Sequence, residues 1–154
     1  MALEIGDKIP DVLGKDQNGV FINSGDYRGK KLALYFYPKD NTPGCTSQAC
    51  SLRDGYDELL KAGYAVLGVS IDSETSHQNF IAKHNIPFPL IADTDKKLVE
   101  TFGVWQEKKN YGRTYMGTVR TTFLVDEQGI IKEKIEGRKV NTKNHATQIL
   151  ELNI

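Results

Sequence analysis

The sequence predicts an α/β fold with a central mixed β-sheet flanked by helices, and three observations carry that prediction. Two continuous apolar runs of strand length, LALYFY over 32–37 and AVLGVSI over 65–71, are patterned like strands covered on both faces. Helix-spaced segments lie between and after them, as parallel crossovers require. Near the end, TTFLV and IIKEKIE are joined by Asp126, Glu127, Gln128 and Gly129, a hairpin signal that adds antiparallel strands to the parallel ones.

Between the first two runs, Thr42 stands where a cap belongs and Pro43 at the first helical position. Leu52, Tyr56, Leu59 and Leu60 then recur at spacings of three and four until Gly63 ends the helix. A second helix is expected from about Ser73, carrying Phe80, Ile81 and His84. Pro87 then straightens the chain into the strand FPLIA. Residues 96–102 read as a short helix closed by Gly103. Residues 105–117 have no clear period and are expected to form a surface loop that includes the charge run 107–109. A last helix over 142–152 would turn Ala146, Ile149 and Leu150 inward. The order β, α, β, α, β, α, β, β, α over one domain, 1–154, fits the thioredoxin-like fold best among small architectures.

Composition narrows the function classes. With 26% charged and 39% hydrophobic residues, the 154-residue chain has the balance of a globular protein with a real core. Twenty basic side chains offset twenty acidic ones, so no global field draws the protein to nucleic acid or an anionic membrane. The opening MALEIGDKIP holds no apolar core of a signal peptide, and the expected home is the cytoplasm. No phosphate-cradling glycine motif is present, and His77, His84 and His145 have no metal-ligand spacing to either cysteine. Neither cofactor nor metal is therefore expected.

The chemistry-bearing feature is Cys45. The chain leaves a buried strand, turns through Pro43 and Gly44, and enters a helix with Cys45 in its first turn. Free backbone N–H groups and the positive helix end favour a thiolate there, and the thiolate is the reactive form. Simple packing is the rival reading, since free cysteine is often buried. Cys50 follows five residues on, and it too reads either as a reactive partner or as a buried helical residue. On an ideal helix the two Cα atoms are about 8 to 9 Å apart. A disulfide needs about 7 Å or less. The pair can bridge only if the helix opens.

The string PKDNTPGCTSQAC resembles the active-site motif of the peroxiredoxins, P-x-x-x-T-x-x-C, met here by Pro38, Thr42 and Cys45. The second cysteine at Cys50 is similar to the peroxiredoxin Q or bacterioferritin comigratory protein subfamily. The likeness extends through GDKIPDV, GVSIDS, FPLIAD and GVWQEKKNYGRTYMGTVRTTFLVD. It implies a thiol peroxidase acting in antioxidant defence, with Cys45 as the peroxidatic nucleophile and Cys50 as the resolving cysteine.

The resemblance also implies roles for the residues around them. Arg120 completes the site from a distant strand, and Thr42 hydrogen-bonds the peroxide as well as capping the helix. Pro38 shields the site from water, and the N–H groups of Gly44 and Cys45 donate to developing charge. The implied partners are hydroperoxide substrates and thioredoxin or a similar dithiol reductant, and the implied state is a monomer. Trp105, Tyr111, Tyr115 and Met116 are expected in core or loop packing.

Two other function classes bear on the same residues. A disulfide exchanger of thioredoxin type would place its cysteines as CxxC at the helix start, whereas this spacing is CxxxxC. A binding module with inert cysteines would keep its free thiols on brief exposure to peroxide.

Overall fold

The computed structural model describes residues 2–152 and 154. The chain enters through a short antiparallel pair, β1 (Val12–Lys15) and β2 (Phe21–Asn23), that sequence periodicity did not reveal. Strands this short present too few residues for an alternation to register. The first apolar run then forms β3 (Lys31–Phe36), followed by helices α1 (Pro43–Asp54) and α2 (Tyr56–Lys61) and strand β4 (Tyr64–Ser70). The single helix expected here is thus broken at Gly55. A Cβ on Gly55 would lie 2.5 Å from the Cβ of Ala146, so the break falls where the last helix crosses closest.

Helix α3 (Glu74–His84) starts beside the expected Ser73, which caps it, the Ser73 hydroxyl accepting from Ser76 N–H at 3.1 Å. It ends at Asn85, whose left-handed backbone (φ 53°) suits asparagine. Strand β5 (Leu90–Ala92) and helix α4 (Lys97–Thr101) follow in the expected order. The expected loop over 105–117 is instead an antiparallel hairpin, β6 (Trp105–Asn110) and β7 (Arg113–Thr118). It turns at Tyr111 and Gly112, both with positive φ (52° and 77°). Its side chains are mostly exposed on both faces, so no apolar alternation marks it. Trp105 packs partly against the core, whereas Tyr111, Tyr115 and Met116 are exposed rather than packed.

Strands β8 (Thr121–Val125) and β9 (Ile131–Glu136) form the terminal hairpin, with Gly129 at φ 83° in its connection. Helix α5 (His145–Leu152) begins later than the expected 142, and Leu150 is only partly buried. The main sheet has the order β5-β4-β3-β8-β9, parallel across β3, β4 and β5 and antiparallel at β8 and β9. This is the mixed, helix-flanked sheet of the thioredoxin-like fold. Alternate residues of β3 serve two cores. Leu32, Leu34 and Phe36 join α4 and the β1–β2 pair, while Ala33 and Tyr35 pack under α1, α2, α3 and α5. Among the described residues, no helix is long and apolar enough to cross a membrane.

His145 fastens α5 to the sheet and to α1. Its Nδ1 faces the Gln148 side-chain oxygen (2.9 Å), its Nε2 faces the Thr122 hydroxyl (2.8 Å), and its N–H donates to the Ser51 hydroxyl (3.1 Å). The side-chain oxygen of Gln148 can only accept, so Nδ1–H donates to it, Nε2 accepts from the Thr122 hydroxyl and the ring is neutral. Burial lowers its pKa from 6.5 to about 4, against the hydrogen bond to Gln148 and with help from the Arg120 charge. The unfolded chain therefore binds a proton that the folded chain refuses, and stability falls as pH drops through the window from 6.5 to about 4. Urea denaturation at pH 7 and pH 4.5 should show the natural protein losing about 2 kcal/mol more than His145→Gln over that interval. Equal losses would mean that His145 titrates alike in both states.

Candidate active site

The site is assembled where β3 ends and α1 begins. Tyr37 and Pro38 leave the strand, Asn41 takes a left-handed conformation (φ 63°), and Thr42 occupies the cap position of α1. Thr42 does not cap the helix as expected. Its hydroxyl donates backward to the Lys39 carbonyl at 2.9 Å and accepts no bond from the helix start. The first helical hydrogen bond runs from Thr46 N–H to the Thr42 carbonyl (2.8 Å), so the N–H groups of Gly44 and Cys45 are outside the ladder.

Cys45 is buried, and the guanidinium of Arg120 donates from Nη2 to its sulfur at 3.4 Å. Arg120 lies just before β8, in a half-buried position. Its other terminal nitrogen, Nη1, donates to Gln48 Oε1 at 2.7 Å. Gln48 is fully buried one turn after Cys45, and nothing in its sequence context singled it out. A Cβ on Gly44 would sit 3.0 Å from Arg120 Nη2, so the absence of a side chain there lets the guanidinium reach the helix start. Pro38, Lys108, Val119, Arg120 and Arg138 line an adjoining cavity of about 360 Å³.

Lys108 belongs to the charge run expected to be solvated, yet it is half-buried and donates to the Thr118 carbonyl at 3.0 Å. Burial and then the Arg120 charge lower its pKa, while Cys45 acts in the opposite direction. The hydroxyl of Tyr35 is buried without a hydrogen-bond partner. Burial first, and then Cys45, push it well above the ordinary tyrosine range, so it stays a neutral donor.

Cys50 lies five residues past Cys45 on the same intact helix, well beyond one turn, and both cysteines are free. Of the other sequence-predicted members, Arg120 reaches Cys45 directly, Gly44 lies against the Arg120 guanidinium, Pro38 lines the same cavity as Arg120, and the Thr42 hydroxyl is bonded to Lys39, whereas Cys50 faces His84, with its sulfur 4.0 Å from the ring Nδ1.

The loop that presents Cys45 is anchored by Asp40, which the sequence analysis did not single out. Its carboxylate accepts from the Tyr37 hydroxyl (2.6 Å), the Ser76 hydroxyl (2.8 Å) and His77 Nδ1 (2.7 Å). His77 Nε2 meets the Ile91 carbonyl at 2.9 Å, so the ring donates from both nitrogens. Burial alone would raise the Asp40 carboxyl. The bonds from His77, Tyr37 and Ser76, with the His77 charge, outweigh it and hold the group below its ordinary value. Asp40 N–H in turn donates to Asp72 Oδ2 (2.8 Å), which also accepts from Ser70. Ligand atoms of Asp40, Asp72 and His77 lie within 4.8 Å of one another, bringing together acidic residues that are scattered in sequence. The carboxylate and ring atoms that meet are engaged by protein protons, the pattern of a hydrogen-bonded strut rather than a cation site.

The AhpC/TSA family model matches residues 5–134. The chain belongs to the peroxiredoxins, in the Bcp and peroxiredoxin Q branch. Peroxiredoxin Bcp of Bacillus subtilis (strain 168) is 47% identical over 152 residues, covering 98% of this chain and 95% of the relative. Peroxiredoxin Bcp of Escherichia coli K12 is 44% identical over 148 residues, 96% and 94% of the two chains.

Among solved structures, a mutant of PrxQ from Xylella fastidiosa superposes with a TM-score of 0.88 at 33% identity, over 99% and 96% of the chains. The bacterioferritin comigratory protein of Xanthomonas campestris, studied for its alkyl peroxide reduction activity in trapped intermediate and ligand complexes, gives 0.83 at 34% identity over 96% and 97%. This peroxiredoxin is thus an oxidoreductase of the thiol peroxidase class.

The Asp40 strut sets a measurable price on loop order. Asp40→Ala strands the buried His77 ring and two hydroxyls, and urea denaturation should show a loss of about 3 to 5 kcal/mol. A loss below about 1 kcal/mol would show that the loop holds itself without the strut.

Proposed function

We propose that Cys45 is the peroxidatic nucleophile, that Cys50 resolves the oxidised product, and that the protein reduces hydrogen peroxide and alkyl hydroperoxides at the expense of a dithiol. The contact of Arg120 Nη2 with Cys45 Sγ carries this reading, because a half-buried guanidinium directed at a sulfur favours the thiolate. The thiolate attacks the terminal oxygen of the hydroperoxide in line. The O–O bond breaks and its electron pair leaves with the distal oxygen, which takes up the hydroperoxide's own proton and departs as water or an alcohol, while the sulfur is left as a sulfenate that gains a proton from solvent to become the sulfenic acid.

Each neighbour has a part in that step. Arg120 and the N–H groups of Gly44 and Cys45 donate to the charge that builds on the peroxide oxygens. Thr42, whose own proton is committed to Lys39, accepts the hydroperoxide O–H. Pro38 borders the cavity and keeps water from the sulfur. Resolution then requires α1 to open at its start, since an intact helix holds the sulfurs apart. Condensation gives a Cys45 to Cys50 disulfide, which thioredoxin or a similar dithiol of a reducing cytoplasm returns to two thiols. The monomeric protein suffices for this cycle, since both cysteines belong to one helix.

Intact mass after brief treatment with one equivalent of hydrogen peroxide tests the assignment. The natural protein should lose about 2 Da, Cys50→Ser should gain about 16 Da, and Cys45→Ser should stay unchanged. Oxidation of Cys45→Ser at the natural rate would remove Cys45 from the mechanism. In stopped-flow measurements, Arg120→Met should slow the first oxidation by about 100-fold, the cost of losing one preorganised charged donor.

A further inference from the structure

We propose that His84 is the proton acceptor that activates Cys50 for resolution, an inference that rests on the reading of Cys50 as the resolving cysteine. His84 closes α3, and its Nδ1 lies 4.0 Å from Cys50 Sγ, within reach of an S–H···N hydrogen bond. The ring is oriented by an edge contact with the buried Phe80 (centroids 5.1 Å, planes at 68°). Its backbone carbonyl accepts from Arg53 Nη1 at 2.7 Å. Arg53 stands one helical turn beyond Cys50, so two side chains on one face of α1 engage the same residue of α3. That pairing holds the end of α3 against the face of α1 that carries Cys50.

The charged and titratable groups around the pair come from three elements. Arg53 and its partner Asp54 (3.0 Å) lie on α1, Lys83 precedes His84 on α3, and the buried Tyr35 hydroxyl rises from β3. Tyr35 stays neutral, and Asp54 is committed to Arg53, so neither competes for the proton of Cys50.

The step balances within the protein. The Cys50 S–H proton passes to His84 Nδ1, and the freed sulfur pair attacks the sulfur of the Cys45 sulfenic acid. The S–O bond breaks, and the departing hydroxide takes the imidazolium proton and leaves as water. A sulfenic acid and a thiol become a disulfide and water, with no further oxidant. The anchoring of α1 favours this order of events. The Arg53 contact that holds the Cys50 end does not depend on the oxidation state of Cys45, whereas the Arg120 contact at the Cys45 end weakens once the sulfur has lost its charge. Cys45 therefore travels, and Cys50 waits beside His84.

The test follows the lifetime of the species about 16 Da heavier, by rapid-quench mass spectrometry after a peroxide pulse, from about pH 5.5 to 9. His84→Asn keeps a polar group but cannot take a proton. At pH 7 its sulfenic acid should persist about tenfold longer than in the natural protein, because an unassisted thiol with a pKa near 8.5 is only a few per cent thiolate there. The rising limb of resolution rate against pH should move upward as well. In His84→Ala, added imidazole should shorten the lifetime again in a saturable way, which a purely structural role would not produce. Superimposable pH profiles, or no response to imidazole, would overturn the role of His84 while leaving Cys50 as the resolving residue. If the natural protein, with His84 intact, stops at the heavier species and never loses about 2 Da, both readings fall.

Discussion

The pairing of β3 with β8 is the constraint on which the site depends. Their antiparallel register sets Phe36 opposite Thr121, so the residue just before Thr121 stands over the loop that leaves β3. That residue is Arg120, and it meets a sulfur 75 positions earlier in the chain. A slip of one residue would turn Arg120 to the other face of the sheet and leave the start of α1 without its cation. The apolar character of both strands prevents the slip, since all of β8 and nearly all of β3 is buried. A packing requirement thereby fixes an electrostatic one.

This division explains which parts of the molecule were legible in the sequence. Strands β3 and β4 were visible because burial on both faces forces continuous apolar runs, β8 and β9 because a turn signal joins them, and α3 because its helical spacing and the proline beyond it are local. Cys45 was visible because helix start, turn and sulfur are adjacent in the chain. Arg120 became visible only through family resemblance. Its local context, an arginine before an apolar strand, reads equally as an exposed edge.

Gln48, His84 and Lys108 were not legible as site residues. Each acquires its meaning from a partner more than one element away: Gln48 from Arg120, His84 from Cys50, and Lys108 from the cavity beside Arg120. The β6–β7 hairpin escaped for the opposite reason. With both faces largely open to solvent, it carries no burial pattern for periodicity to find.

The supports of α1 are unequal along its length. Its buried side chains are Cys45, Gln48, Ala49 and Leu52, so the apolar anchoring lies toward the C-terminal half, where Ser51 and Arg53 add bonds to α5 and α3. The N-terminal half is held chiefly by Arg120, through Cys45 and Gln48. The Asp40 strut meanwhile ties the preceding loop to the turn after β4 and to α3 through contacts that do not involve Cys45. On the proposed mechanism, oxidation converts a charged acceptor into a neutral one and weakens a bond of the stronger, charge-assisted kind. The loss falls on the half of α1 with the least apolar burial, between a loop that stays fastened and a helix end that stays fastened. Local opening is then confined to the turns separating the two sulfurs, and the rest of the fold need not change for them to meet.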